Sequence, residues 1–181
     1  SQDPGAGMNN LIRLSAGQAR VVADDPWQWL REPDQARPAG PLILPLAAWL
    51  ARQDEATLAG RRFSLDGLCL APDDEVESIA AYLPVLPLIA IEFPSFRDGR
   101  GYSQAYLLRT RLGWTGELRA LGDVLRDQLS HMRQCGFDAF AVREDKSAED
   151  ALKGLAGMSV LYGRSAIEPR PLFRRRGGAG T

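Results

Sequence analysis

The amino-acid sequence predicts an α/β fold built on a mostly parallel sheet of repeated strand–helix units, and three observations carry that expectation. Leu86 to Phe93 is a near-continuous apolar run broken only by Pro87 and Glu92, as expected of a central strand buried on both faces. After it, helix-like and strand-like stretches alternate: Tyr102 to Leu112, Glu117 to Leu121, Asp123 to Cys135 and Asp138 to Val142. The connections between them are short, which makes the strands parallel neighbours joined by right-handed crossovers. The Glu117–Val142 unit looks like the late part of a TIM barrel, yet the 181 residues fall short of the roughly 250 usual for a closed one. An open sheet or a partial, TIM-barrel-like one is therefore expected, within a single domain.

Residues 1–7, SQDPGAG, read as vector-derived, with Met8 as the expected start, and residues 166–181 read as a tail. Residues 8–60 are rich in proline and tryptophan and are expected to form an irregular flap over the rest. Within them a short strand is expected at Ala19 to Ala23, then a turn at Asp24-Asp25-Pro26. The proline-bounded run Pro41 to Pro45 leads into a helix from Leu46 to Gln53, whose Leu46, Trp49 and Leu50 share one face. Trp27 and Trp29 read as core or interface filler in preference to a binding cage.

The α/β core is expected over residues 61–165. Arg62 to Leu70 should be a strand kinked at Gly67. Asp73 or Asp74 should cap a short helix carrying Val76, Ile79, Ala80 and Leu83. Gly113 and Gly136 should be left-handed residues closing two helices, each followed by an apolar residue, Trp114 and Phe137. Asp123 is a good N-cap for the helix that reaches Cys135. Ser147 with Asp150 makes a capping-box pattern opening a last helix.

Charge and composition narrow the function classes. With 22 basic against 23 acidic side chains the net charge is −1, so no global field attracts nucleic acid or an anionic membrane. No signal-peptide pattern and no apolar run of about 18 residues is present, so neither export nor membrane spanning is expected. Cys69 and Cys135, the two cysteines, fit a reducing cytoplasm better than a disulfide framework. Together with the lone His131 they cannot make a four-ligand zinc or iron–sulfur site. Gly99-Arg100-Gly101 is only a fragment of a dinucleotide-binding loop. Neither a Walker loop nor a nucleophile elbow occurs, so no metal site and no cofactor is evident.

In parallel sheets ligands gather beyond the carboxyl ends of strands. Three stretches should occupy that edge: Glu92 to Ser103, Leu121 to Gln128, and Arg143 to Lys146. In the first, Asp98, Gly99, Arg100 and Gly101 open a helix ahead of Tyr102 and Ser103, where free backbone N–H groups and the helix dipole would favour an anion. Arg97 and Arg100 add charge, and Arg119 and Arg126 could converge from the neighbouring unit. The competing reading is that Arg97 with Asp98, and Arg126 with Asp127, are paired or solvated surface charges. Glu92, ending an apolar strand, would suit a general base, since partial burial raises a carboxylate pKa. Asp123 competes for that role. His131, in mid-helix, reads as a surface or half-buried residue without chemistry.

The stretches EFPSFRDGRGYS, GELRALGDVLRDQL and CGFDAF strongly resemble a bacterial family catalogued as domain of unknown function 934, and the likeness covers about Pro41 to Tyr162. Members carry a label as oxidoreductases of sulfite reduction, which rests on genes lying beside those of assimilatory sulfite reductase. The resemblance thus implies an accessory role in assimilatory sulfite reduction, with the sulfite reductase haemoprotein or its electron donor as partner. The alternative is a small enzyme acting on an anionic metabolite at the carboxyl edge of the sheet. A homo-oligomer held by the Trp-rich region is a third possibility.

Overall fold

A computed structural model describes residues 7–31, 40–58, 60, 65–155 and 157–161. Its strands are β1 (Leu11–Ser15), β2 (Gln18–Val22), β3 (Gln28–Trp29), β4 (Leu42–Pro45), β5 (Gly67–Leu70), β6 (Leu88–Phe93), β7 (Glu117–Gly122), β8 (Ala139–Ala141) and β9 (Ser159–Leu161). The helices are α1 (Leu46–Leu58), α2 (Arg100–Thr110), α3 (Leu129–Cys135) and the single turn α4 (Ala148–Ala151), with a 3-10 helix over Val76–Val85. Among the described residues the strands join into one curled, open sheet in the order β3-β4-β5-β6-β7-β8-β1-β2-β9. From β3 to β8 every pairing is parallel. This is the expected α/β architecture.

The parallel part forms for the reason its sequence indicates. Leu88 to Ile91 of β6 and Leu118 to Leu121 of β7 are all buried, and the two strands pair over six residues, Leu88 with Glu117 through Phe93 with Gly122. Ile89, Ile91 and Phe93 face the helices with Leu118 and Ala120. Leu88, Ala90 and Leu121 face the inside of the curl with Ile43, Cys69 and Ala139. Gly113 (φ 72°) and Gly136 (φ 117°) take the left-handed conformation after α2 and α3. Phe137 N then donates back to Met132 O, as a helix closed by such a glycine requires.

The amino-terminal part differs from the expected flap, because residues 8–60 supply β1 to β4 to the same sheet. β1 and β2 form a hairpin whose two turn residues, Ala16 and Gly17, both have positive φ, the turn that matches strand twist. β1 lies antiparallel on β8. The chain then crosses the open side of the curl, through a bridge between Met8 and Asp25, to place β3 at the far edge beside β4. Asp73 and Asp74 cap nothing: the 3-10 helix is preceded by Glu75 without a side-chain cap, and Asp74 Oδ2 accepts from Ala71 N at 2.8 Å. Residues 61–64 of the expected strand lie outside the described residues, and its observed part is β5. No described helix is long and apolar enough to cross a membrane.

Candidate site at the carboxyl edge

The loops after β6, β7 and β8 meet at the carboxyl edge of the sheet, and one side chain joins them. Asp123 lies just past β7 and is expected from sequence to cap a helix. It reaches sideways to both neighbouring loops instead. Its Oδ2 accepts from Phe96 N at 2.7 Å and its Oδ1 from Arg143 Nη1 at 2.7 Å, while its own N–H donates to Phe93 O at 2.7 Å. The helix that follows starts later, as a short 3-10 turn at Arg126–Gln128 that runs into α3. Gln128 is the second tie: its Nε2 donates to Phe96 O at 2.6 Å and its Oε1 accepts from Leu125 N at 3.1 Å. Both backbone groups of Phe96 are thus held by side chains of the next unit, and the residue remains 46 % exposed.

Around this anchor the charges are matched locally. Asp98 takes Arg100 three ways, from the backbone N at 3.0 Å, Nε at 3.1 Å and Nη2 at 2.7 Å, and Arg100 Nη1 also reaches Asp73 at 2.7 Å. The first turn of α2 therefore carries its own carboxylate at the position where an external anion was expected. Those bonds hold the Asp98 carboxyl down at about 2, and Arg143 does the same for Asp145, also at about 2. Gly99 is open to solvent, whereas Gly101 sits against the Phe93 ring, where an added Cβ would lie 2.7 Å from the ring carbons. Gly101 is thus a packing glycine that brings α2 down onto β6. Tyr102 lies between the rings of Phe93 (5.2 Å) and His131 (4.4 Å), and burial pushes its phenol up. Ser103 is exposed beside it.

The four arginines do not converge. Arg97 is exposed, with its guanidinium 5.4 Å from the centre of the Phe96 ring. Arg126 faces Asp150 at 3.6 Å and Asp127 is exposed. Arg119 is elsewhere: fully buried on the inside of the curl, in register with Ala90 and Ala139. There its Nη1 and Nη2 grip Asp25 at 2.8 and 3.0 Å, and its Nε donates to Glu117 at 2.6 Å. Arg13 of β1 joins the same two carboxylates at 3.1 and 3.3 Å.

Glu92, the penultimate residue of β6, lies on the inner face, half-buried, and makes no hydrogen bond or ion pair among the described residues. Its negative charge acts on the buried Cys69 thiol, which burial above all pushes up far from its ordinary value, while a hydrogen bond with Trp29 opposes that. Arg31 stacks at 4.0 Å on the Trp29 ring. Glu92 is thus separated from Arg100, which Asp98 and Asp73 hold on the helix side. Among the described residues no group of three or more His, Cys, Asp or Glu side chains is placed to hold a metal ion.

The family model for bacterial proteins of unknown function (DUF934) matches residues 67–173, more than half of the chain. The chain belongs to that family. No curated protein and no solved structure matches it. In this DUF934 protein the matched stretch begins at Gly67, the first residue of β5, and takes in all three edge loops. Asp25, the partner of Arg119, lies before it. Reasoning from sequence misses the joining roles of Arg143 and Gln128, although both fall in stretches assigned to the edge. It also misses the pair of Asp25 with Arg119, for which the two-residue alternation of β7 was an available signal: it turns Arg119 inward with Glu117 and Leu121.

Proposed function

We propose that this DUF934 protein is a cytoplasmic accessory protein of assimilatory sulfite reduction, which docks on the sulfite reductase haemoprotein or its electron donor and brings no cofactor of its own. The pathway comes from the family label, and the mode of action from the edge geometry. One observation carries it: Phe96 is an exposed aromatic ring on a backbone fixed from both sides by Asp123 and Gln128, with the Arg97 guanidinium over the ring. Aromatic and arginine side chains dominate binding energy at protein interfaces, and a rigid presentation lowers the ordering cost of association. Tyr106, 57 % exposed one helical turn beyond Tyr102, extends the aromatic surface.

Titration calorimetry of the haemoprotein and of its donor with this chain tests the reading. The expected result is a complex with one of them that Phe96→Ala weakens by at least ~10-fold, the loss typical of a central aromatic contact. Arg97→Glu should weaken it as well, without moving the unfolding midpoint. A complex with neither protein, or one indifferent to both substitutions, overturns it.

A second reading, a small enzyme acting on an anionic metabolite, has one observation in its favour: Glu92 is half-buried and has no hydrogen bond or ion pair among the described residues, as suits a proton-transfer group. Sulfite or sulfate added to the labelled protein should then shift the Glu92 carboxyl signal saturably. A Glu92 signal unmoved by either anion leaves that reading without support.

A further inference from the structure

The inner face of the curl carries, at its carboxyl end, two opposite charges that do not pair with each other. Leu88 and Ala90 of β6 point inward while Ile89, Ile91 and Phe93 point to the helices. The two-residue alternation therefore turns Glu92 inward as well. Cys69 of β5 lies beside Ala90 in register, which places Glu92 one pleat beyond it, with the α-carbons roughly 8 Å apart. No helix residue belongs to the packed cluster on this face, and Val22, Trp27, Trp29 and Ala141 at its margin are only partly buried. Glu92 is half-buried there, so part of its carboxylate stays in contact with solvent.

Cys69 forms the floor between the two charges. Burial above all pushes its thiol far up, so it stays protonated and is no nucleophile. Glu92 and Arg31 both act on that thiol, in opposite directions, and Trp29 hydrogen-bonds to it. Arg31, itself exposed, stacks on the Trp29 ring at 4.0 Å. Asp74 is the other carboxylate that acts on the thiol, and it already accepts from Ala71 N at 2.8 Å. A positive and a negative group thus stand around one buried thiol, and no ion pair joins them among the described residues.

Each of the two groups specifies half of a ligand. A half-buried carboxylate without a counter-charge has lost water and gained no partner, and an ammonium group supplies one. Stacking uses the flat face of the Arg31 guanidinium, while its in-plane N–H fork is the part that binds a carboxylate. The complement is a small molecule with an ammonium and a carboxylate close together, which is the head of an α-amino acid.

We infer that the carboxyl mouth of the curl binds a free α-amino acid, with its ammonium on Glu92 and its carboxylate on Arg31, beside the Trp29 ring. The inference is independent of docking through Phe96. It shares Glu92 with the second reading above, but gives that carboxylate a cation to hold in place of a proton to move.

The test titrates the ¹³C- and ¹⁵N-labelled protein in turn with glycine, L-alanine, L-serine, L-leucine, L-glutamate and L-lysine. At least one of them should shift the Trp29 indole N–H and the Glu92 carboxyl carbon saturably. Its N-acetyl and α-methyl-ester forms should each bind at least ~10-fold more weakly, since each lacks one of the two charges. Glu92→Gln and Arg31→Met should reproduce those losses with the unfolding midpoint preserved, because Glu92 has no ion pair to lose among the described residues and Arg31 is exposed. Phe96→Ala should bind the amino acid as the native chain does. Saturable shifts with none of the six, or shifts that survive N-acetylation or Glu92→Gln, overturn the inference. Sulfite or sulfate moving Glu92 where no amino acid does overturns it too, and favours the second reading instead. If no docking complex forms, the Phe96 reading fails, and the amino-acid titration still decides on this site.

Discussion

Arginine does two different things in this molecule, and the contrast separates what holds the fold from what faces outward. On the inner face Arg119 has no solvent exposure and is enclosed by Asp25 and Glu117, with Arg13 at the rim. At the carboxyl edge Arg100 and Arg143 keep side-chain exposures of 57 % and 38 %. The distances are alike, 2.6 to 3.0 Å for Arg119 inside and 2.7 Å outside for the shortest pairs. Burial makes the difference. Water and salt screen the outer pairs, so they orient loops more than they stabilise. The inner pair has lost its water, so each charge depends on its partner. Asp25 is also the residue by which the β2–β3 crossing is fastened to β7.

The largest expected effect is therefore inside. Arg119→Ala should destabilise by about 3–5 kcal/mol, because it strands the buried Asp25 carboxylate. The double variant Arg119→Met with Asp25→Leu should lose less than the two single changes added together. Urea unfolding of the native chain, Arg119→Ala, the two single changes and the double variant checks both statements, and additive losses would break the contrast.

Next comes the joint between the loops. Asp123→Ala should cost about 1–3 kcal/mol, since it leaves Phe96 N without its acceptor. Amide exchange at Phe96 should accelerate, and docking should weaken with the fold intact. Exchange at Phe96 as slow as before would mean that Gln128 alone holds the loop.

Acid titration sharpens the outer half. Asp98 and Asp145 should both titrate near pH 2, against an ordinary value of 3.8. Their folded pKa lies below the unfolded one, so their contribution is complete above pH 3.8 and is lost as pH falls through about 2. Asp138 moves the other way, raised chiefly by burial, and should protonate first. Carboxyl-carbon shifts followed against pH check the order, and Asp98 protonating before Asp138 would contradict it. The smallest effect is that of Arg100→Gln, which should leave the unfolding midpoint where it is.

The legibility of the fold follows the same division. β6 and β7 could be read because both their faces are apolar. β1 could not, because Arg13 interrupts it, and only the distant Asp25 and Glu117 make that charge acceptable in a strand. The crossing at Asp25 was visible as a turn but not as a fastening, since its partner lies 94 residues away. At the site, the positions of the three loops follow from the strands they extend. The role of Asp123 did not follow: capping is a local rule, and the bond to Phe96 spans 27 residues. Sequence reasoning groups Arg119 with the edge arginines, yet it stands three residues before the end of β7 at Gly122, roughly 10 Å short of that edge.

The most direct measurement is the sulfite-reduction rate of the haemoprotein with its donor, followed as this chain is added, beside Phe96→Ala as control. The account predicts a saturable change in rate with the native chain and a shift of its midpoint to higher concentration with Phe96→Ala. A rate indifferent to both, with the enzyme and donor active, would contradict an accessory role built on that edge.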